Sequence, residues 1–212
     1  MSYYKFYLDM DVRRLIKDYG EPYSKMLGID LKKGDTEYVK WFLASILYAK
    51  PIREESATKT FKAFESAGLT SAKAISDAGW DHLVRLLDEG GYTRYDFSTA
   101  DRLLDVFGHL QKEYGGSLQR LYDSSTDGSD LNRRIMDLGK GVGPVTVSIF
   151  LRDMQEVWPR AKPEQVPDVK KAASDLAIKD MREYAHEHGI SPVELATALH
   201  RYSRHLKKSD KK

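Results

Sequence analysis

The stretch Asp137-Leu-Gly-Lys-Gly-Val-Gly-Pro-Val-Thr-Val-Ser-Ile-Phe-Leu-Arg152 joins two helical patterns through a turn that holds three glycines. Upstream, Leu131, Ile135, Met136 and Leu138 recur at helical spacing behind Ser129 and Asp130, either of which can cap a helix by accepting from its free N–H groups. Downstream, Pro144 suits the first turn of a second helix, where no N–H is needed. That helix carries Val145, Ile149, Phe150 and Met154 and loses its pattern by Trp158-Pro159. Between the two, Gly139-Lys-Gly-Val-Gly143 is a tight turn expected to leave backbone N–H groups bare at a helix N-terminus. Peptide dipoles there favour an anion, and Lys140 adds a charge beside it. An ordinary tight connection between helices is the plainer reading of the same residues.

Working outward, the rest of the chain also reads as helices. A short amphipathic segment from Asp11 to Tyr19 closes at Gly20, and residues 23–33 look like a connector. Asp35 can cap a helix whose Val39, Phe42, Leu43, Ile46 and Leu47 follow the spacing of a buried face up to Pro51. Further helices are expected over 53–67, 71–78 and 80–89, stopped by Gly68, Gly79 and Gly90-Gly91. Ser98 is placed to cap a helix over 99–114 with Leu103, Leu104, Phe107 and Leu110 inward. Ser191-Pro-Val-Glu194 is a capping box that opens a last helix through Leu195, Leu199 and Tyr202. No alternating strand pattern, fixed-period repeat or long linker interrupts this order.

Composition removes several classes of function. The 212 residues include no cysteine, so disulfides, thiolate-bound zinc, thiol catalysis and a four-cysteine iron–sulfur cluster are out of reach. The six histidines form no metal motif, since His186 and His188 are two apart on a helical pattern and face different ways. No cofactor or metal is therefore expected. No apolar run approaches the roughly 18 residues of a membrane span, and the N-terminus lacks a signal-peptide core. A cytoplasmic, nucleoid-associated or nuclear monomer is expected, not a secreted protein. Net charge is only +2, but it is unevenly spread: residues 1–130 and 172–199 each sum to −3, 131–171 to +3 and 200–212 to +5. The positive segments are the glycine turn with its sequel and the C-terminal end, the face a duplex backbone would seek, although a basic tail can also be simply solvated.

The glycine turn, the hydrophobic residue inside it, Pro144, Thr146 and the apolar helix after them resemble the helix-hairpin-helix of the endonuclease III-like DNA glycosylases. The likeness spans roughly residues 36–206 and is most specific at the hairpin. Trp41-Phe-Leu-Ala-Ser-Ile-Leu-Tyr-Ala-Lys50 is similar to an early family helix that ends in a duplex-probing Gln, with Lys50 in that place. The stretch from Leu86 to Tyr92 is similar to the family's aliphatic segment followed by Gly-aromatic. The resemblance implies an all-α protein of two helical lobes with a groove between them: lobe A near 36–130, lobe B from 1–35 plus 131–212, and the hairpin at 130–157. It also implies double-stranded DNA carrying a damaged or mispaired base as partner. Gly139, Lys140, Gly141, Val142, Gly143, Thr146, Lys50 and Tyr92 are the DNA-binding residues it suggests. Aromatics on the loop, Tyr92, Tyr95 and Phe97 with Arg94, can wedge into a duplex or pack down on the core.

The catalytic candidate is Asp168. After the second hairpin helix, ten residues with three prolines cannot be helical throughout and, extended, reach at most about 33 Å, enough to return Asp168 to the neighbourhood of Pro144. Asp168 follows Val166-Pro167 and opens a helical pattern, as the family's essential Asp does, although a plain N-cap has the same signature. A carboxylate there would stabilise positive charge on a sugar and orient the attacking water. Asp153 is a competing carboxylate, read as a surface ion pair. Bifunctional family members place a Lys two residues after the Gly-x-Gly, where this chain has Val145, so the resemblance implies base hydrolysis without strand cleavage. A DNA-binding module without chemistry, and a helical interaction protein without a nucleic-acid role, are the alternatives.

Overall fold

The structure, a computed structural model, describes residues 12–209, with side chains described as far as Ser203. Among the described residues every regular element is helical, as the periodicity required. Residues 29–163 form one unit, and the described parts of 1–28 and 164–212 form the other.

The larger unit opens with a 3₁₀ turn at Leu31–Lys33, which Asp30 caps by accepting from the Lys32 N–H. Its helices, numbered in chain order after the two of the N-terminal segment, are α3 (Asp35–Tyr48), α4 (Glu54–Ser66), α5 (Ala72–Asp77), α6 (Trp80–Gly90), α7 (Asp96–Tyr114), α8 (Leu118–Ser124), α9 (Gly128–Met136) and α10 (Pro144–Met154). Helix α3 runs through the middle, with all of its residues from Trp41 to Tyr48 buried. The Trp41 indole N–H donates to the Phe150 carbonyl at 3.0 Å, and Phe42 meets Phe150 edge-on at 5.1 Å and Phe107 at 5.9 Å. Trp158 stacks on Tyr122 with ring centroids 4.6 Å apart. These contacts explain where the chain divides. The expected lobe boundary near residue 130 does not appear, because α10 and Trp158 close the core around α3, and residues 131–163 group with 29–130.

The smaller unit contains α1 (12–19), α2 (Tyr23–Met26), α11 (Pro167–Asp175), α12 (Met181–His188) and α13 (Pro192–Ser209). The expected first residue of α1, Asp11, and the N-terminal residues before it lie outside the described residues, as do the final lysines Lys211 and Lys212. Val12, Val169, Ala172, Ala173, Ile178, Ala185, Leu195 and Leu199 make its core. Arg201 stacks 4.2 Å over the Tyr23 ring and donates to the carbonyls of Tyr19 at 3.0 Å and Glu21 at 2.7 Å. The Ser191 hydroxyl accepts from the Glu194 N–H at 3.4 Å, as the capping box predicted.

Caps and ends differ from expectation in instructive ways. Asp127, not Ser129 or Asp130, caps α9, its carboxylate accepting the N–H groups of both of those residues at 2.8 and 2.9 Å. Asp130 is inside the helix and turns back to accept the Thr126 N–H at 3.0 Å. Helix α7 starts two residues before Ser98, whose hydroxyl donates to the Tyr95 carbonyl at 3.2 Å. Asp35 is the first residue of α3, with Gly34 at the cap, and its carboxylate accepts the Gln119 N–H at 2.8 Å. The turn at 115–117 is followed by α8, which no periodic pattern announced in only seven residues.

Candidate functional site

The glycine turn is an exposed bend between α9 and α10, and its three glycines serve three different ends. Gly141 has φ +93°, the left-handed region that L side chains avoid. Gly139 permits close approach: a Cβ there would fall 2.7 Å from both Asp105 Oδ2 and Val106 Cγ2. Gly143 is extended at φ −101°, ψ −179°, caps α10 without a side chain and has open space where a Cβ would stand. Val142 between them is buried, and its N–H donates to the Gly139 carbonyl at 3.2 Å. The Val142 side chain is thus a plug into the core, not a DNA contact.

Pro144 takes the first helical position, as expected. The Val147 N–H closes on the Gly143 carbonyl at 3.1 Å, while the N–H groups of Val145 and Thr146 have no partner among the described residues. Lys140, Gly141, Pro144 and Val145 are exposed around them. Thr146 is buried as a whole residue at 3% exposure, so of the two N–H groups only that of Val145 belongs to an exposed residue. Val145, the first of the apolar residues in the α10 pattern, is 42% exposed, unlike Ile149, Phe150 and Met154, which are buried.

One face of α7 holds this turn. Arg102, Asp105 and His109 are spaced by three and four residues and so share a stripe beside the buried one of Leu103, Val106 and Leu110. Arg102 Nε donates to the Lys140 carbonyl at 3.2 Å, and Asp105 accepts the Lys140 N–H at 3.1 Å. His109 Nδ1 lies 3.2 Å from the Leu138 carbonyl, which calls for a proton on that nitrogen. The Lys140 N–H, expected to be bare, is therefore used to fix the bend. Sequence reading missed this stripe. Its signal was three polar residues at helical spacing on the face that the core leaves open.

Of the other expected DNA-binding residues, Lys50 is half-buried just beyond α3, its ammonium 5.5 Å from the Tyr95 ring centroid. Burial, and behind it the nearby Arg102 charge, holds the Lys50 ammonium below its ordinary pKa. Tyr92 belongs elsewhere: it is 1% exposed, and its hydroxyl donates to the Leu47 carbonyl. It is a core residue and cannot wedge into a duplex. Phe97, at the start of α7, is 58% exposed and lies 5.1 Å from the partly exposed Trp80, whose indole donates to Asp101 at 2.8 Å.

In the smaller unit, Asp168 is the second residue of α11 and half-buried. The cap is Val166, which has no polar side chain to offer, so Asp168 is not an N-cap, and its carboxylate sits in the first turn where the helix favours negative charge. Asp153 is no surface residue: it is 1% exposed and paired with the equally buried Arg152 at 2.8 Å. In the basic C-terminal segment, side chains from Arg204 onward lie outside the described residues.

Among the described residues no three His, Asp or Glu side chains gather as a metal site, and no helix is long and apolar enough to cross a membrane. Comparison with family models, curated proteins and solved structures finds no match for this chain.

Proposed function

We propose that this chain is a DNA repair glycosylase of the two-lobe helix-hairpin-helix type, which hydrolyses the N-glycosidic bond of a damaged or mispaired base in double-stranded DNA. The observation that carries the reading is the bend itself. It is exposed, pinned to α7 by three side chains, and opens α10 with two unpartnered N–H groups, of which that of Val145 belongs to an exposed residue. A preformed set of donors at a helix N-terminus suits a phosphate and pays no ordering cost when one arrives. Gly139, Gly141 and Gly143 shape this seat, and Lys50 adds charge to the same unit.

Asp168 is the proposed catalytic residue. Departure of the base takes the bonding electrons with it and leaves positive charge on the sugar, which a carboxylate stabilises. The same carboxylate orients the attacking water and takes its proton as the new carbon–oxygen bond forms. Val145 offers no amine for a Schiff base, so the product is an intact strand with an abasic site. The reaction needs no cofactor.

Duplexes containing uracil, thymine opposite guanine, 8-oxoguanine or an alkylated purine, incubated with the chain and then treated with alkali, test this directly. Alkali-dependent strand breaks at one lesion support the reading. Duplex binding with no break at any lesion leaves a DNA-binding module, and borohydride-trapped adduct would contradict the role given to Val145.

A further inference from the structure

Several helix charges in this protein are paired along their own helix. Arg133 and Arg134 share Asp130, and Lys40, Lys62, Lys73 and Lys171 each have a carboxylate three or four residues away. Around the glycine bend three cations from different elements come without such a partner. Lys50, Arg102 and Lys140 come from the end of α3, from α7 and from the turn, and none has a carboxylate within ion-pair distance among the described residues. The acids beside Arg102 in sequence do not pair with it: Asp101 accepts the Trp80 indole N–H at 2.8 Å, and Asp105 sits at the bend itself, where it accepts the Lys140 backbone N–H at 3.1 Å. Arg102 spends only Nε on the turn, at 3.2 Å from the Lys140 carbonyl, and its two terminal nitrogens have no partner among the described residues.

Lys50 and Arg102, both half-buried, repel each other in the free protein, and an entering anion offsets that cost. A guanidinium with both terminal nitrogens uncommitted has the geometry for a two-pronged contact to phosphate. We infer that Arg102, Lys50 and Lys140 form a three-cation seat for successive phosphates of one DNA strand, with Arg102 acting as both the brace of the bend and a phosphate ligand. The inference rests on the DNA reading above and extends the contact from the turn to α7 and the end of α3.

The test is the salt dependence of duplex affinity for native protein, Lys50→Gln, Arg102→Gln, the double variant and Arg102→Lys. Removing one cation from the phosphate backbone lowers the slope of log affinity against log salt by about 1, so each neutral single variant drops by about 1 and the pair by about 2. The drop is the same for every duplex sequence. Arg102→Lys keeps the slope yet binds more weakly, since the charge stays and the fork goes. Lys50→Gln, which disturbs no hydrogen bond of the turn, also melts no lower than native protein, a result that a merely structural role would not give. Should Arg102→Gln fail to fold, Lys50→Gln still decides. Native slopes in both neutral variants, with duplex binding intact, overturn the three-cation seat and leave the DNA reading standing. Absence of duplex binding by native protein overturns both.

Discussion

Arg102 lies against the open face of Gly141: a Cβ placed on that glycine would fall 1.9 Å from Arg102 Nε. The bend at 139–143 is thus shaped from outside as well as by its own torsions. Gly141→Ala meets the side chain of Arg102 and also a φ of +93°, a combination expected to cost about 1–3 kcal/mol in stability. Chemical denaturation measures that loss, and duplex affinity should fall with it.

Gly143 permits a cleaner separation of fold from function. Its φ of −101° suits any residue, and nothing lies within 4 Å of where a Cβ would stand. Gly143→Ser supplies α10 with a hydroxyl cap for the N–H groups that the bend leaves bare, which gains a few tenths of a kcal/mol in stability. If those N–H groups hold phosphate, the same hydroxyl competes with DNA. A variant more stable than native yet weaker on duplex is expected; unchanged affinity would mean the N–H groups are idle.

Aromatic residues near the start of α7 divide into one buried and one available. Tyr92→Phe removes a buried hydrogen bond to the Leu47 carbonyl and should cost about 0.5–1.5 kcal/mol of stability with duplex affinity unchanged. Phe97→Ala, at a 58% exposed position, should leave stability alone and weaken DNA binding by about 1–3 kcal/mol if the ring stacks on a base. Parallel thermal melts and binding titrations of the two variants check this opposition.

Acid sensitivity should trace to the start of α9. Asp130 is held down to a pKa of about 2, first by the Arg134 guanidinium, then by the Thr126 N–H, with Arg133 adding to them. A carboxylate whose folded pKa lies below its unfolded value, ordinarily near ~3.9, contributes stability that is complete above that value and lost as pH falls toward about 2. Asp130→Asn should therefore be less stable than native protein at neutral pH, with the difference closing between roughly pH 4 and 2. A difference that stays constant across that range would show the ion pairs to be unimportant.

What the sequence made legible was whatever depends on neighbours along the chain. The helical periodicities, Pro144 opening α10 and the capping box at Ser191 are all local, and they appear as expected. Caps shifted where several acids or hydroxyls stood together, as with Asp127, Ser129 and Asp130, because only one of them can adopt the extended backbone a cap needs. Tyr92 was misplaced since a Gly-aromatic pair looks the same whether the ring turns outward or finds a carbonyl 45 residues away. The α7 stripe was hidden for the same reason, its three contacts with the bend spanning 29 to 38 residues. The lobe boundary depended on Trp41 and Phe150 meeting across 109 residues, which no composition shift marks.

The central claim is that Asp168 performs chemistry on DNA that the glycine bend holds. Its most direct test is the yield of abasic sites from the best lesion duplex by native protein and by Asp168→Asn under single-turnover conditions, with duplex affinity measured on the same samples. Asp168→Asn is expected to bind as native protein does and to form abasic product at least about 100-fold more slowly, the scale set by removal of a general base. Equal rates for the two proteins would contradict the claim.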